Sequence, residues 1–120
     1  MKNFYQEGEN ITWTNGTGSA VVSGQVVAIG SLVGIACVDI ASTTTGAVKL
    51  EGVFLVPKTA GTAWTQGAEL NWDASAATFD IGTATPATGD ISGCCVAAYA
   101  AASAATTGYV LINKGVGTIT

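Results

Sequence analysis

Apolar and polar residues alternate along this chain in short runs, and glycine cuts the runs every several residues. That is the punctuation of short strands joined by tight turns. Asn10–Thr14 places Ile11 and Trp13 on one face of a strand, and Asn15-Gly16 is a strong turn signal after it. Ser19–Val22 and Gln25–Ile29 read as further β segments, with breaks at Ser23-Gly24 and Gly30-Ser31. Leu32–Ile40 is apolar, with Gly34 as the expected site of a bulge. A Thr-rich turn follows over Asp39–Gly46.

The clearest alternation predicts one strand over Ala47–Val56. Val48, Leu50, Gly52 and Phe54 face one way, and Lys49, Glu51, Val53 and Leu55 the other; Pro57 ends the ladder. Glu69–Asp73 and Ala77–Ile81 form a hairpin over Ala74-Ser75-Ala76, with Leu70, Trp72, Phe79 and Ile81 on the buried side. Asp90–Ala97 and Tyr109–Ile112 are the last strands. The Ala-rich stretch 97–105 reads as a loop or a short helix between strands, since alanine favours helix but the run is short. The fold class is therefore all-β. The 120 residues amount to one domain, with 1–10 as an N-terminal arm.

Composition changes this picture in one respect. Hydrophobic residues make up 48% of the chain and charged residues 10%, against about 25% charged in an ordinary soluble domain. The surface must then consist largely of Thr, Ser, Ala and Gly, which is cheap to desolvate and suits burial against other subunits. The net charge is −4, with neither Arg nor His, and the four lysines (Lys2, Lys49, Lys58, Lys114) are scattered. Such a chain offers phosphates no basic face, so no nucleic-acid partner is expected.

The uncharged stretches 10–38 and 91–113 are broken by glycine and hydroxyl residues, so no membrane partner is expected. The residues after Lys2 lack the apolar run of a signal peptide.

Candidate chemistry is sparse. Nucleophilic catalysis by Ser or Cys wants a base, and the chain has no histidine and no Ser-x-x-Lys pattern. Glu69, Asp73 and Asp80 are the densest carboxylates; the expected role is a solvated face. Cys37, Cys94 and Cys95 lack zinc-ligand spacing and read as reduced, small core residues. Neighbouring Cys94 and Cys95 should point to opposite faces of a strand. No metal, no cofactor and no enzymatic activity are expected. Trp13, Trp64, Trp72, Phe54 and Phe79 are assigned to the core or to a subunit interface.

Several stretches, in order, resemble one family. They are Met1–Ile11, then Val22–Val27 with Gly30–Ala36. Gly52-Val53-Phe54-Leu55-Val56-Pro57-Lys58 follows, running through Ala63-Trp64-Thr65-Gln66-Gly67 to Leu70-Asn71-Trp72-Asp73. The closing strand is Tyr109-Val110-Leu111-Ile112-Asn113. The chain thus resembles a family of small phage proteins that decorate or cement capsids. Some relatives carry a recombinase label, which the lack of a nucleotide-binding loop and of a basic surface argues against. The stretch 100–107 and the tail 114–120 look longer than the family's usual ending, and the tail reads as an added contact arm.

The resemblance implies a β-barrel or β-tulip-like body. It also implies a structural virion protein on the capsid exterior, made in the host cytoplasm, that binds the major capsid protein and stabilises the expanded head. A homotrimer is expected, since a closed oligomer can match the local symmetry of a shell. Phe4, Tyr5 and Gln6 of the arm are the expected capsid contact, by strand addition to a sheet edge. The alternative is a virion-displayed binding module for carbohydrate or a host surface, working through exposed aromatics such as Trp64.

Overall fold

The computed structural model describes residues 8–82, 85–115 and 117–120. Among them are ten strands and no helix, arranged in two antiparallel sheets. The smaller sheet holds β1 (Asn10–Thr14), β2 (Val26–Ile29), β3 (Leu32–Ala36) and β4 (Thr45–Lys49), in the order β1-β4-β3-β2. The larger holds β5 (Val53–Pro57), β6 (Glu69–Asp73), β7 (Thr78–Ile81), β8 (Ile91–Ala97) and β9 (Thr107–Leu111), in the order β5-β9-β8-β6-β7. The short β10 (Thr118–Ile119) lies alongside β8.

Local chemistry sets the tight connections. A two-residue turn at Gly30-Ser31 joins β2 to β3, with Gly30 at φ 58°. Four residues, Ala74–Ala77, join β6 to β7. There Asp73 Oδ1 accepts from the amides of Ser75 and Ala76 and from the Ser75 hydroxyl. Trp72 and Phe79 pair directly across this hairpin, as do Leu70 and Ile81, with the two rings 5.0 Å apart. The expected buried face of this hairpin is present.

The larger core lies on the inner face of the larger sheet, around Val56, Leu70, Trp72, Phe79, Ile91 and Val110. Val26, Val33 and Ile35 of the smaller sheet join it. The alternate residues Val27 and Ala36 face a second cluster with Val21, Ile40 and Val48. The central β2–β3 hairpin thus bears apolar side chains on both faces, and its valines and isoleucines link the two clusters.

Asn113 ties the sheets together at a second point. Its Nδ2 donates to Val33 O at 2.7 Å and to Leu50 O at 2.8 Å, and its Oδ1 accepts from Val33 N at 3.0 Å. One side chain thereby continues the β3 ladder and holds the crossing between the sheets.

The structure corrects some expectations and sharpens others. Ala47–Val56 is not one strand: the chain leaves the smaller sheet after Lys49 and enters the larger at Val53, turning at Gly52 with φ 129°. Asn15-Gly16 makes no hairpin. β1 pairs with β4, and Asn15 is instead fully buried, its side chain bonded to Ser19 O, Ile40 O and Thr17. Gly34 sits in regular register opposite Val27, without a bulge. Of the two readings of the Ala-rich 97–105 stretch, the loop is the one found, tied at Trp64–Ala101 by a reciprocal pair of backbone bonds. The end of the tail is tied to the larger sheet: β10 pairs with β8, and Thr120 N donates to Asp90 O.

The expected barrel does not close. β5 and β7, the two edges of the larger sheet, come together at a single bridge between Lys58 and Phe79, with Thr59 N donating to Phe79 O at 2.9 Å. No ladder continues from it.

Candidate functional site

The residues assigned from sequence to the core or an interface separate into two groups. Trp64, Trp72 and Phe79 are buried in the larger core; Phe54 packs against it partly buried, and Trp13 is partly buried against the smaller cluster. Phe4, Tyr5 and Gln6 lie outside the described residues. Glu9 and Asn10, at the inner end of the 1–10 arm, are already tied to the smaller sheet: Leu50 N donates to Glu9 O, and Asn10 pairs with Lys49.

Trp64 is only 4% exposed, so it offers no free ring to a sugar. Its Nε1 donates to Tyr99 O at 3.1 Å, and its ring lies so close over Gly108 that a methyl there would overlap Cζ2. Lys58, 2% exposed, sits with its ammonium 5.3 Å from the centroid of that ring. The Lys58 Nζ donates to Thr59 O at 3.0 Å and to Ala105 O at 3.4 Å. Burying an ammonium costs free energy unless hydrogen bonds replace its water. Here the replacement carbonyls come partly from the Ala-rich loop, so lysine and tryptophan together hold that loop against the sheet.

The carboxylates do not assemble a catalytic pair. Asp73, Asp80 and Asp90 border a cavity of about 30 Å³, with room for roughly one water and none for a substrate. Asp90 is engaged by the amides of Ala74 and Ala87. Asp73 caps its turn, and the amide of Ala76 followed by the Ser75 hydroxyl hold its carboxyl below the ordinary value. Glu69 lies elsewhere, beside Trp64 and Ile81 on an open depression of about 360 Å³.

The cysteines depart from expectation in two ways. Cys37 is exposed, not a core residue. Cys94 and Cys95 are both buried on the same side, with their sulfurs 3.2 Å apart. The cause is a bulge in β8. Leu70 pairs with Cys95 and Trp72 with Ile91, so the three residues Leu70–Trp72 face the five residues Ile91–Cys95. Gly93 takes φ 74° there, and Asn71 Oδ1 accepts its amide. The hydrogen bond to Cys94, together with burial, pushes the Cys95 thiol far up and keeps it protonated.

Sequence reasoning missed the outer face of the larger sheet. β5 turns Val53, Leu55 and Pro57 outward, and all three are exposed. Their partners on β9 are Leu111, Tyr109 and Thr107. Tyr109, 49% exposed, also meets Tyr99 edge-on at 5.8 Å, and Tyr99 and Leu55 are each 58% exposed. The signal was present in Val53–Pro57 and Tyr109–Ile112, which are apolar at nearly every position and not only at alternate ones.

A family model described as phage cement protein matches residues 5–112. The chain belongs to the phage cement protein family. The family's work is structural and its place is the phage capsid, so this chain is a capsid-associated cement protein. The match ends one residue before Asn113, and β10 lies beyond it. No curated protein and no solved structure matches the chain. Among the described residues no helix is long and apolar enough to cross a membrane, and no cluster of His, Cys, Asp or Glu is placed to hold a metal.

Proposed function

We propose that this chain binds the outer surface of a phage capsid as a closed homo-oligomer, a trimer, and stabilises the expanded head by bridging neighbouring capsid subunits. Family membership carries the reading. The physical chemistry supports it. A cement subunit must be covered by protein on more than one side, and desolvating a face of Thr, Ala and Val costs less than desolvating one of Lys and Glu. Each contact can be modest, because a symmetric clamp adds its contacts through effective concentration. The adhesin alternative loses its residue, since Trp64 is buried and its indole N–H is already bonded.

The shell contact falls to the N-terminal arm, with Phe4, Tyr5 and Gln6 adding to a sheet edge of the major capsid protein. The test is co-sedimentation of purified protein with undecorated expanded heads. The full chain should pellet with the heads and raise the temperature at which they lose their DNA or break. A chain lacking residues 1–6 should stay in the supernatant while keeping its oligomeric mass. A full chain that never pellets with heads refutes the cement reading, and a truncated chain that still pellets refutes the role of the arm.

A further inference from the structure

We propose that the outer face of β5 and β9, formed by Val53, Leu55, Tyr109 and Tyr99, is where copies of this chain meet, at the symmetry axis of the oligomer. This rests on the oligomeric cement reading above and names its surface.

Three observations converge on it. In an antiparallel sheet with one face in water, apolar residues should alternate with polar ones. β5 and β9 break that rule together. Inner residues Phe54, Val56 and Val110 feed the core, while outer residues Val53, Leu55 and Tyr109 are 47%, 58% and 49% exposed. A strand apolar on both sides is the pattern of a strand covered on both sides. The single chain covers only one.

The second observation is contiguity. Leu55 pairs directly with Tyr109, Val53 with Leu111, and Leu111 in turn with Val96 on β8. Tyr99 packs edge-on against Tyr109. Val53, Leu55, Tyr99 and Tyr109, each about half exposed, form one exposed apolar face of the kind that marks a protein interface. Pro57 and Thr107, paired at the end of the same strands, extend it.

The third observation is charge, and it selects the occupant. Of the six outward positions on β5 and β9, none carries a charge near neutral pH. The flanking carboxylates are Glu51, exposed two residues before Val53, and Glu69, across Val96. A partner that brought charges to this face would bury them unpaired. A second copy brings the same uncharged face, with tyrosine and threonine hydroxyls that both donate and accept. Copies of a chain with net charge −4 can meet here through the uncharged positions of these two strands.

Light scattering on the full chain at tens of micromolar should give the mass of a dimer or trimer. Leu55→Glu and Tyr109→Glu place identical charges opposite one another near the axis, and each should reduce the mass to that of one chain with its β-sheet circular dichroism intact. Val38→Glu, in the connection between β3 and β4, should leave the mass unchanged. A measurement on the unaltered chain guards against misfolded variants: Tyr99 and Tyr109 should be iodinated at least several-fold more slowly in the oligomer than after dilution to monomer.

A wild-type monomer, an oligomer that survives both glutamates, or tyrosines that stay equally reactive at all concentrations would each overturn the proposal. Loss of head binding by Leu55→Glu with no change in mass would also overturn it, by assigning the face to the capsid. An oligomer broken by these changes, in a chain that never binds heads, supports the face and sinks only the cement reading.

Discussion

Asn113 carries more of the fold than its half-exposed position suggests, and replacing it should show how much. Its side chain makes three hydrogen bonds, to Val33 O, Val33 N and Leu50 O, and its backbone sits at φ 55°. Val33 is fully buried, so its freed amide and carbonyl would not recover full hydration. At about 1 kcal/mol per lost bond, with more for any group left dry, Asn113→Gly should cost about 3 kcal/mol. Glycine tolerates the left-handed backbone, so this variant isolates the side chain. Its greater freedom in the unfolded chain adds about 0.5–1 kcal/mol. Asn113→Ala should cost about 1 kcal/mol beyond glycine's backbone tolerance, through its Cβ at positive φ. Asn113→Asp should be the least stable, because it sets a carboxylate oxygen against two carbonyls.

The assay is urea unfolding at one fixed protein concentration, since any self-association would couple concentration to stability. A loss of about 3–4 kcal/mol is a large part of the roughly 5–15 kcal/mol available to a domain, and it lowers the melting temperature by on the order of 10–15 °C. A glycine variant within about 1 kcal/mol of wild type, at unchanged m-value, would refute the claim that this side chain joins the sheets. So would an aspartate variant as stable as the native chain.

Two further outcomes follow from the side-chain geometry. In the native protein a thiol reagent such as a disulfide dye should titrate Cys37 rapidly and leave Cys94 and Cys95 unreacted until the chain is unfolded, when three equivalents react; fast release of a second equivalent from native protein would show that the β8 bulge opens. The Asp73 carboxyl is held below its ordinary value of 3.8 in the folded chain. Its contribution is therefore present above the unfolded value and lost as pH falls through the folded one. Asp73→Asn should lower stability at pH 7, and the gap to wild type should narrow below about pH 4; a gap that widens on acidification contradicts the turn-capping role.

The elements of this fold were legible where the sequence signal was local. The Glu69–Ile81 hairpin came through with its buried face correct, because alternation and turn chemistry agree there. What failed was everything decided by partners distant in sequence. Asn15-Gly16 has the composition of a two-residue hairpin turn, yet burying the Asn15 side chain among four hydrogen bonds stabilises a different path. Ala47–Val56 alternates without interruption because both strands it contains have period two. Only Gly52, which the alternation could absorb as an ordinary inward position, marks the crossing. Cys94 and Cys95 share a side because two extra residues of β8 are taken up in a bulge, and a bulge is set by the register against β6.

The sites show the same division. Trp72 and Phe79 were readable as buried partners, since each follows an alternating strand. Trp64 precedes its turn outside any strand; its burial depends on Gly108 and Ala101, both far along the chain. Among the described residues the large exposed aromatics are instead Tyr99 and Tyr109, one in the loop that Trp64 and Lys58 hold in place and the other on the strand beside it. The core anchor and the outward face are therefore two sides of one construction. The buried indole donates to the Tyr99 carbonyl and the ammonium reaches the Ala105 carbonyl as well as Thr59 O, which ties down the loop that carries Tyr99 against Tyr109. A chain so poor in charge would have little reason to order two tyrosines in water at its edge. Ordering them is accounted for by the interface proposed above, where an identical neighbour would cover them.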